Sequence, residues 1–303
     1  MVLLILALAL VGISWRRIFP VSTRGKTIIT VWAPRWLATS EYLRDNLDGY
    51  QAAHPRVLVQ LRPARPADFD RLERAWRSGR KCGDLVLAPS TRARRWARDG
   101  LLTEWQGFFD MQLPADGFIP GFLRSGQVAG KQYLIPLLGH PTLVAVAAKA
   151  PAYRGLAAAG GRLGVDQAAL AQAGPAVALA TGQTEAKAIA WCREREANHK
   201  DAPYLLTVYP GPRALRRQHR LTWAAPQPGR PTVAETEGLV IPRCNAHYRI
   251  CEYLARNYLM DRRLYSEGEW RYGLPTIEAY YRQAGKHHPG PLLAAVEQSV
   301  PLP

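Results

Sequence analysis

The chain of 303 residues has little cysteine, little methionine and a shortage of acid: four Cys, three Met, and 24 Asp plus Glu against 40 Lys plus Arg. Cys82, Cys192, Cys244 and Cys251 are too scattered for a paired zinc ribbon. His247 and Cys251 share a helical face as two possible zinc ligands, and His287-His288 are the only further histidine pair, so a four-ligand metal centre is not expected. Within one helix Cys244 and Cys251 would lie about 10 Å apart, too far for a disulfide unless Cys244 precedes the helix, which Pro242 permits. Catalytic signatures are missing too. There is no Gly-x-Ser-x-Gly elbow, no His-Glu-x-x-His and no phosphate-cradling Gly-x-x-x-x-Gly-Lys-Ser/Thr. Gly155 to Gly164 is rich in glycine but lacks the strand and spaced acid of a dinucleotide fingerprint. No catalytic residue and no cofactor is therefore nominated, and the chain is not expected to be an enzyme.

The amino-terminal run Val2 to Ile13 stops at 12 apolar residues, short of the roughly 20 that span a bilayer. It resembles a signal-peptide core, although Arg16-Arg17 place the positive charge behind it rather than in front. Residues 1–24 are read as a signal peptide or a membrane anchor. The mature chain is then expected outside the cytoplasmic membrane, in the periplasm or on the extracellular face. No Cys follows the core, so no lipid-anchored cysteine is expected.

What the chain does have is basic charge and apolar bulk. A net charge of +16 attracts anions, nucleic acid or an anionic membrane surface. Arg92, Arg94, Arg95 and Arg98 surround Trp96, and Arg213, Arg216, Arg217 and Arg220 cluster near His219. A basic nucleic-acid-binding protein is thus one alternative reading. No stacking motif interleaves these arginines, so they read as solvated faces and no nucleic-acid partner is expected. With 48% hydrophobic residues and this length, two domains with real cores are expected.

Periodicity supplies the architecture. Thr27 to Trp32 is a β-branched strand; Ser40 caps a helix carrying Leu43, Leu47 and Tyr50; Val57 to Leu61 alternates as a strand. Phe69, Leu72 and Trp76 mark a second helix closed by Ser78-Gly79, Asp84 to Ala88 is a short apolar strand, and a third helix runs from about Thr91 to Asp99. This βαβαβα order predicts a parallel sheet. Farther on, Gly126 to Gly130 turns into a strand that Pro136 interrupts, and a second apolar segment, Leu137 to Ala148, follows. Pro151 to Gly174 is an Ala/Gly-rich stretch in which Gly155 to Gly164 reads as Ala-rich filler, and a helix from Ala186 to Arg195 follows behind Thr184.

The pieces Ile29-Thr30-Val31-Trp32, Ala53-His54-Pro55, Val57 to Leu61, Ser78-Gly79 leading to Asp84-Leu85-Val86, Asp99-Gly100-Leu101-Leu102 and Gly130-Lys131-Gln132-Tyr133-Leu134-Ile135-Pro136 stand in an informative order. So do Gly238-Leu239-Val240-Ile241-Pro242-Arg243, a helix from Asn245 to about Met260, and Tyr272-Gly273-Leu274-Pro275. Together they resemble the extracellular solute-binding proteins of sugar-type ABC importers. The resemblance implies an α/β, bilobal, periplasmic-binding-protein-like fold (type II), with two parallel-sheet lobes joined by a hinge. Residues 27–137 plus 238–290 would form the first lobe, and 138–237 plus 291–303 a truncated second lobe. It also implies a monomer that closes by hinge bending on a carbohydrate-like solute and passes it to an ABC permease. A sensor or interaction protein on the same fold is the alternative.

In open parallel sheets ligands bind beyond the carboxyl ends of the strands. That rule selects the loop from Trp32 to Trp36, the loop Ala88 to Thr91, and the segment around His140. Trp32 and Trp36 would offer flat apolar faces to a sugar ring, and Arg35 and Ser90 would bind its hydroxyls or a carboxylate. Tyr209, Trp223 and Trp270 are the aromatic candidates from the other side. The basic balance makes an acidic sugar or other anion the more attractive solute.

Overall fold

The computed structural model describes residues 25–109, 115–147, 149–196, 202–208, 222–228, 232–260, 274–276, 296, 297 and 299–301. The amino-terminal apolar run, Tyr209, Trp270, the second arginine cluster and His287-His288 lie outside the described residues. No helix among the described residues is long and apolar enough to cross a membrane.

The first third of the chain follows its periodicity closely. In β1 (Thr27–Pro34) burial alternates, and Ile29, Val31 and Ala33 are wholly buried on one face. A short helix α1 (Arg35–Ala38) follows at once, then α2 (Glu41–Ala53). Ser40 starts α2 because its hydroxyl accepts from the Leu43 N–H at 3.2 Å, satisfying one of the helix's orphan donors. β2 (Val57–Ala64) leads into α3 (Pro66–Arg77), which opens on a proline whose missing N–H costs nothing there. Asp68, in the first turn of α3, accepts from the Arg65 N–H at 2.8 Å. Gly79, at φ 71°, closes α3 in the left-handed region. β3 (Leu85–Pro89) is buried on both faces, and α4 (Ser90–Arg98) begins without a loop. β1 pairs in parallel with β2 along its length and with β3 at Val31 and Trp32.

The middle of the chain departs from expectation in two places. After β4 (Leu102–Thr103) and α5 (Pro120–Ser125), the strands β5 (Gln127–Val128) and β6 (Lys131–Gln132) form a hairpin. Its tip, Ala129 and Gly130, has φ of 50° and 78°, the positive pair that suits a tight hairpin. The interruption expected at Pro136 does not occur: β7 (Ile135–Val146) runs unbroken through Pro136 and Pro141. A register shift opposite Glu237 and Gly238 skips Leu137, and such a bulge tolerates a residue without an N–H. The filler expected at Gly155 to Gly164 is instead ordered, as α6 (Leu156–Ala159) and the start of β8 (Leu163–Val165), and α7 (Leu170–Thr181) follows. Next come α8 (Glu185–Glu196), β9 (Tyr204–Val208), β10 (Thr222–Ala224) and β11 (Val233–Pro242). Helix α9 (Tyr248–Leu254) continues as a π-helical turn to Leu259, and β12 (Leu274–Pro275) and β13 (Val300–Pro301) complete the described elements.

The fold is α/β. Instead of two parallel sheets, one mixed sheet of 11 strands among the described residues runs in the order β2-β1-β3-β11-β7-β9-β8, with the short strands β10 and β12 branching from β7 and β4 and β13 from β11. The mixture arises because β11 lies antiparallel to both β3 and β7. Apolar cores form where side chains alternate to either face. Ile29, Val31, Leu85, Leu87, Leu239 and Ile241 pack on α2 and α9, while Val86, Ala88 and Val240 pack on the opposite face against Leu72, Trp76 and Trp96. A third core joins Val144, Val146, Val165 and Leu206 to Val177 of α7 and Ala188 of α8.

On the outer face, α3 and α4 are bound by charge. Trp96 Nε1 donates to Glu73 at 2.8 Å, Arg77 and Arg95 ion-pair with the same carboxylate, and Arg92 pairs with Asp70. Burial works against that carboxylate, but these hydrogen bonds outweigh it and hold the Glu73 pKa below the usual range. Two members of the first arginine cluster, Arg92 and Arg95, are thereby committed to interhelix ion pairs.

Close packing at Gly139 offers a test of the β7 register. A Cβ there would lie 2.2 Å from Cζ of the fully buried Phe122. Gly139→Ala should therefore cost about 1–3 kcal/mol in urea unfolding, and adding Phe122→Leu should recover part of the loss.

Candidate functional site

β11 passes through the middle of the sheet and changes character halfway. Leu239, Val240 and Ile241 are fully buried, whereas Glu235 and Glu237, on one face, carry charge to a place between two apolar cores. The antiparallel register sets His140 of β7 directly opposite Glu235. His140 and Glu237 retain only 17% and 20% of their side-chain exposure, and their Nε2 and Oε2 atoms stand 3.9 Å apart.

Helices on either side of the sheet's centre converge on the same carboxylate. From the first turn of α4, the Thr91 hydroxyl donates to Glu235 Oε1 at 2.6 Å. From α7, the Gln172 amide donates to Glu235 Oε2 at 3.2 Å. Ser90, buried at the end of β3, accepts from the Thr236 N–H at 3.1 Å and pins β11 beside α4. Thr91 and Gln172 are 81 positions apart in the chain and meet on one side chain.

The strand order gives this location meaning. The chain passes from β1 to β2 on one side and then to β3 on the other, so β1 and β3 flank a topological switch point, where open sheets bind ligands beyond the strand ends. Thr91 stands just past the end of β3. Glu237 is paired with Pro89, the last residue of that strand. The acidic cluster thus lies close to that switch point.

Among the candidates named from the sequence, the structure brings Ser90 and His140 to this cluster. Trp32 and Trp36 do not come together. The expected loop is absent: Trp32 lies in β1 and packs with the outer core of α3 and α4, while Trp36 lies in α1 and packs with the core beneath α2. Alternation along the strand and an immediate helix turn them to opposite faces of the sheet. Trp32 and Arg35 instead line a cavity of about 520 Å³ at the carboxyl ends of β1 and β2, with Arg62, Arg65, Asp68 and Arg71. Trp223, in β10, packs with Ile119, Phe122 and Leu143, on the face away from His140 and Val144. Glu235, Glu237 and Gln172 were missed, and Thr91 was named only as the end of the loop Ala88 to Thr91. Paired acids in a β-branched strand, Glu235-Thr236-Glu237 before Gly238-Leu239-Val240, were the available signal.

Among the described residues no group of three or more His, Cys, Asp or Glu side chains is placed to hold a metal ion. The four thiols are free. Cys251 is buried beside the Asn245 amide at 3.3 Å, and burial pushes its pKa up to about 12, the state of a structural thiol. Neither a comparison with protein-family models nor one with curated proteins finds a match to this chain.

Burial first, and then the Glu235 carboxylate, push the pKa of Glu237 up from 4.5 to about 7. The folded protein then holds this proton more tightly than the unfolded chain, so the stability it confers is full at acid pH and is lost as pH rises from about 4.5 to 7. Glu237→Gln should remove a decline of about 3 kcal/mol across that window. The check is urea unfolding against pH for both proteins, and an unchanged slope in the variant would count against a protonated Glu237.

Proposed function

We propose that the chain is a bilobal solute receptor of the periplasmic-binding-protein-like (type II) kind. It captures a hydroxyl-rich, carbohydrate-like solute in the crevice between its two halves and delivers it to an ABC permease, without performing chemistry. The observation that carries this reading is Glu235, whose carboxylate takes one hydrogen bond from Thr91 of the first half and another from Gln172 of the second. A contact of that kind is made or broken when two halves close or open, and a ligand hydroxyl is a natural substitute for either donor. The two long strands β7 and β11, paired with each other and each reaching into a different neighbourhood of the sheet, are where hinge bending would occur. The leader read in residues 1–24 would deliver or hold the receptor outside the cytoplasmic membrane.

The chemistry of the crevice narrows the solute. Glu235, Glu237 and His140 form an acceptor-rich group at low exposure. Carboxylates in such a place bind hydroxyls or ammonium groups and repel other carboxylates. Neutral sugars, or cationic polyols and polyamines, therefore fit better than the acidic sugar that net charge suggested.

A thermal-shift panel of mono- and oligosaccharides, uronates and polyamines tests the proposal. A neutral or cationic solute at 100 times its Kd should stabilise the protein by about 2.7 kcal/mol, a rise of about 4 °C in Tm. Uronates should give no shift, and Glu235→Ala should abolish the response. A panel without any hit, or a hit that survives Glu235→Ala combined with Glu237→Ala, overturns it.

A further inference from the structure

The cavity at the ends of β1 and β2 has the opposite electrical character. Among the described residues, Arg35, Arg62, Arg65 and Arg71 face about 520 Å³ of space with Asp68 as the single acid. We infer that this cavity is a second ligand site, distinct from the crevice at Glu235, which binds a small multivalent oxyanion such as a phosphate ester or polyphosphate.

The charge balance is the first argument. Asp68 is already engaged, by Arg71 at 2.8 Å and by the Arg65 backbone N–H at 2.8 Å. Arg62 reaches only the neutral Gln60 amide, at 3.3 Å. Among the described residues Arg35, Arg62 and Arg65 make no ion pair, whereas Arg77, Arg92 and Arg95 on the neighbouring helices each have an acidic partner. Asp68 answers Arg71 alone, so three of the four guanidinium groups around this space are left without a counter-charge among the described residues. Guanidinium groups gathered around one space repel each other, and a bound anion reverses the sign of that interaction.

Shape is the second argument. Planar guanidinium forks match tetrahedral oxyanions with paired N–H bonds, and the amino end of α3 adds the positive end of a helix dipole. The Trp32 ring makes a fixed floor. Gly83 admits it so closely that a Cβ at that position would lie 2.9 Å from the ring, and Arg71 sits 5.9 Å from its centroid. The buried Trp32 indole N–H has no acceptor, which leaves a donor unsatisfied in a lining residue. A volume of this size falls in the range of small-molecule sites, about 300–1,000 Å³. The cavity lies some two or three strand spacings from Glu235, roughly 10–15 Å along the sheet.

Calorimetric titration of the purified full chain with inorganic pyrophosphate at about 50 mM salt provides the test. Saturable one-to-one binding that weakens with added salt is expected. Arg62→Gln with Arg65→Gln should reduce affinity roughly tenfold to a hundredfold. Both side chains are exposed, and so are Arg44 and Arg56. Arg44→Gln with Arg56→Gln removes the same charge elsewhere and should leave affinity unchanged. Glu235→Ala should also leave it unchanged, which separates this site from the proposed receptor crevice. Absence of saturable binding overturns the inference, as does equal weakening in the control pair, or binding confined to a DNA oligonucleotide with none to pyrophosphate. Loss of pyrophosphate binding in Glu235→Ala overturns the claim of a second site.

Discussion

One constraint governs the rest of the structure: β11 must be apolar at one end and charged at the other while hydrogen-bonded on both sides. Its Leu239–Ile241 end belongs to the apolar cores, and its Glu235–Glu237 end lies where those cores part. An ionised carboxylate left dry in a central strand would cost several kcal/mol. The fold meets this in two ways. Glu235 receives donors from both sides, while Glu237, which has fewer, holds its proton more firmly. Thr91 of α4 and Gln172 of α7 come together on the Glu235 carboxylate at that point.

The legible part of the sequence was the part in which local signals and packing agree. Ser40 as a cap, the Leu43–Leu47–Tyr50 stripe, Ser78-Gly79 as a stop and the continuous apolar run Leu85–Ala88 each specify an element without help from distant residues. Where tertiary contacts dominate, the same reasoning fails. α7 contains Gly174 and Pro175, both poor in helix interiors, and its apolar character extends around the helix. It is a helix because α8 presses against it so closely that a Cβ at Gly174 would lie 2.5 Å from Ile189 Cγ1. Likewise, β7 passes through Pro136 because a bulge opposite β11 absorbs the missing donor. No single-segment pattern encodes a partner strand's register.

The candidate site divides in the same way. Ser90 and His140 were accessible from the rule that ligands collect beyond strand ends, because that rule depends on strand order, which the periodicity revealed. Trp32 and Trp36 were paired because they are near in sequence. Four residues spanning a strand end and the start of a helix separate two side chains across a sheet more reliably than they unite them. Glu235 and Thr91, by contrast, lie 144 positions apart and share a hydrogen bond. The acids were passed over because charged residues are ordinarily solvated, and only the pairing of β11 with both β3 and β7 shows that these two are not.

Net charge proved a poor guide to local chemistry, and the reason is instructive. A balance of +16 is a sum over the whole chain, whereas each site is set by a few side chains within a screening length of about 8 Å at physiological salt. Inside that distance the Glu235–Glu237 end of β11 is acidic and the β1–β2 cavity is basic, so one chain presents two opposite electrical environments on a single sheet. Arg77, Arg92 and Arg95 of α3 and α4 contribute to the total while paired with Glu73, Asp70 and Asp99. Arg35, Arg62 and Arg65 have no such partner among the described residues and share one space. Among the acids, burial and the Glu235 carboxylate push Glu237 toward its neutral form. The charge set by a few neighbouring side chains, rather than charge summed over the chain, fixes the local chemistry at both places.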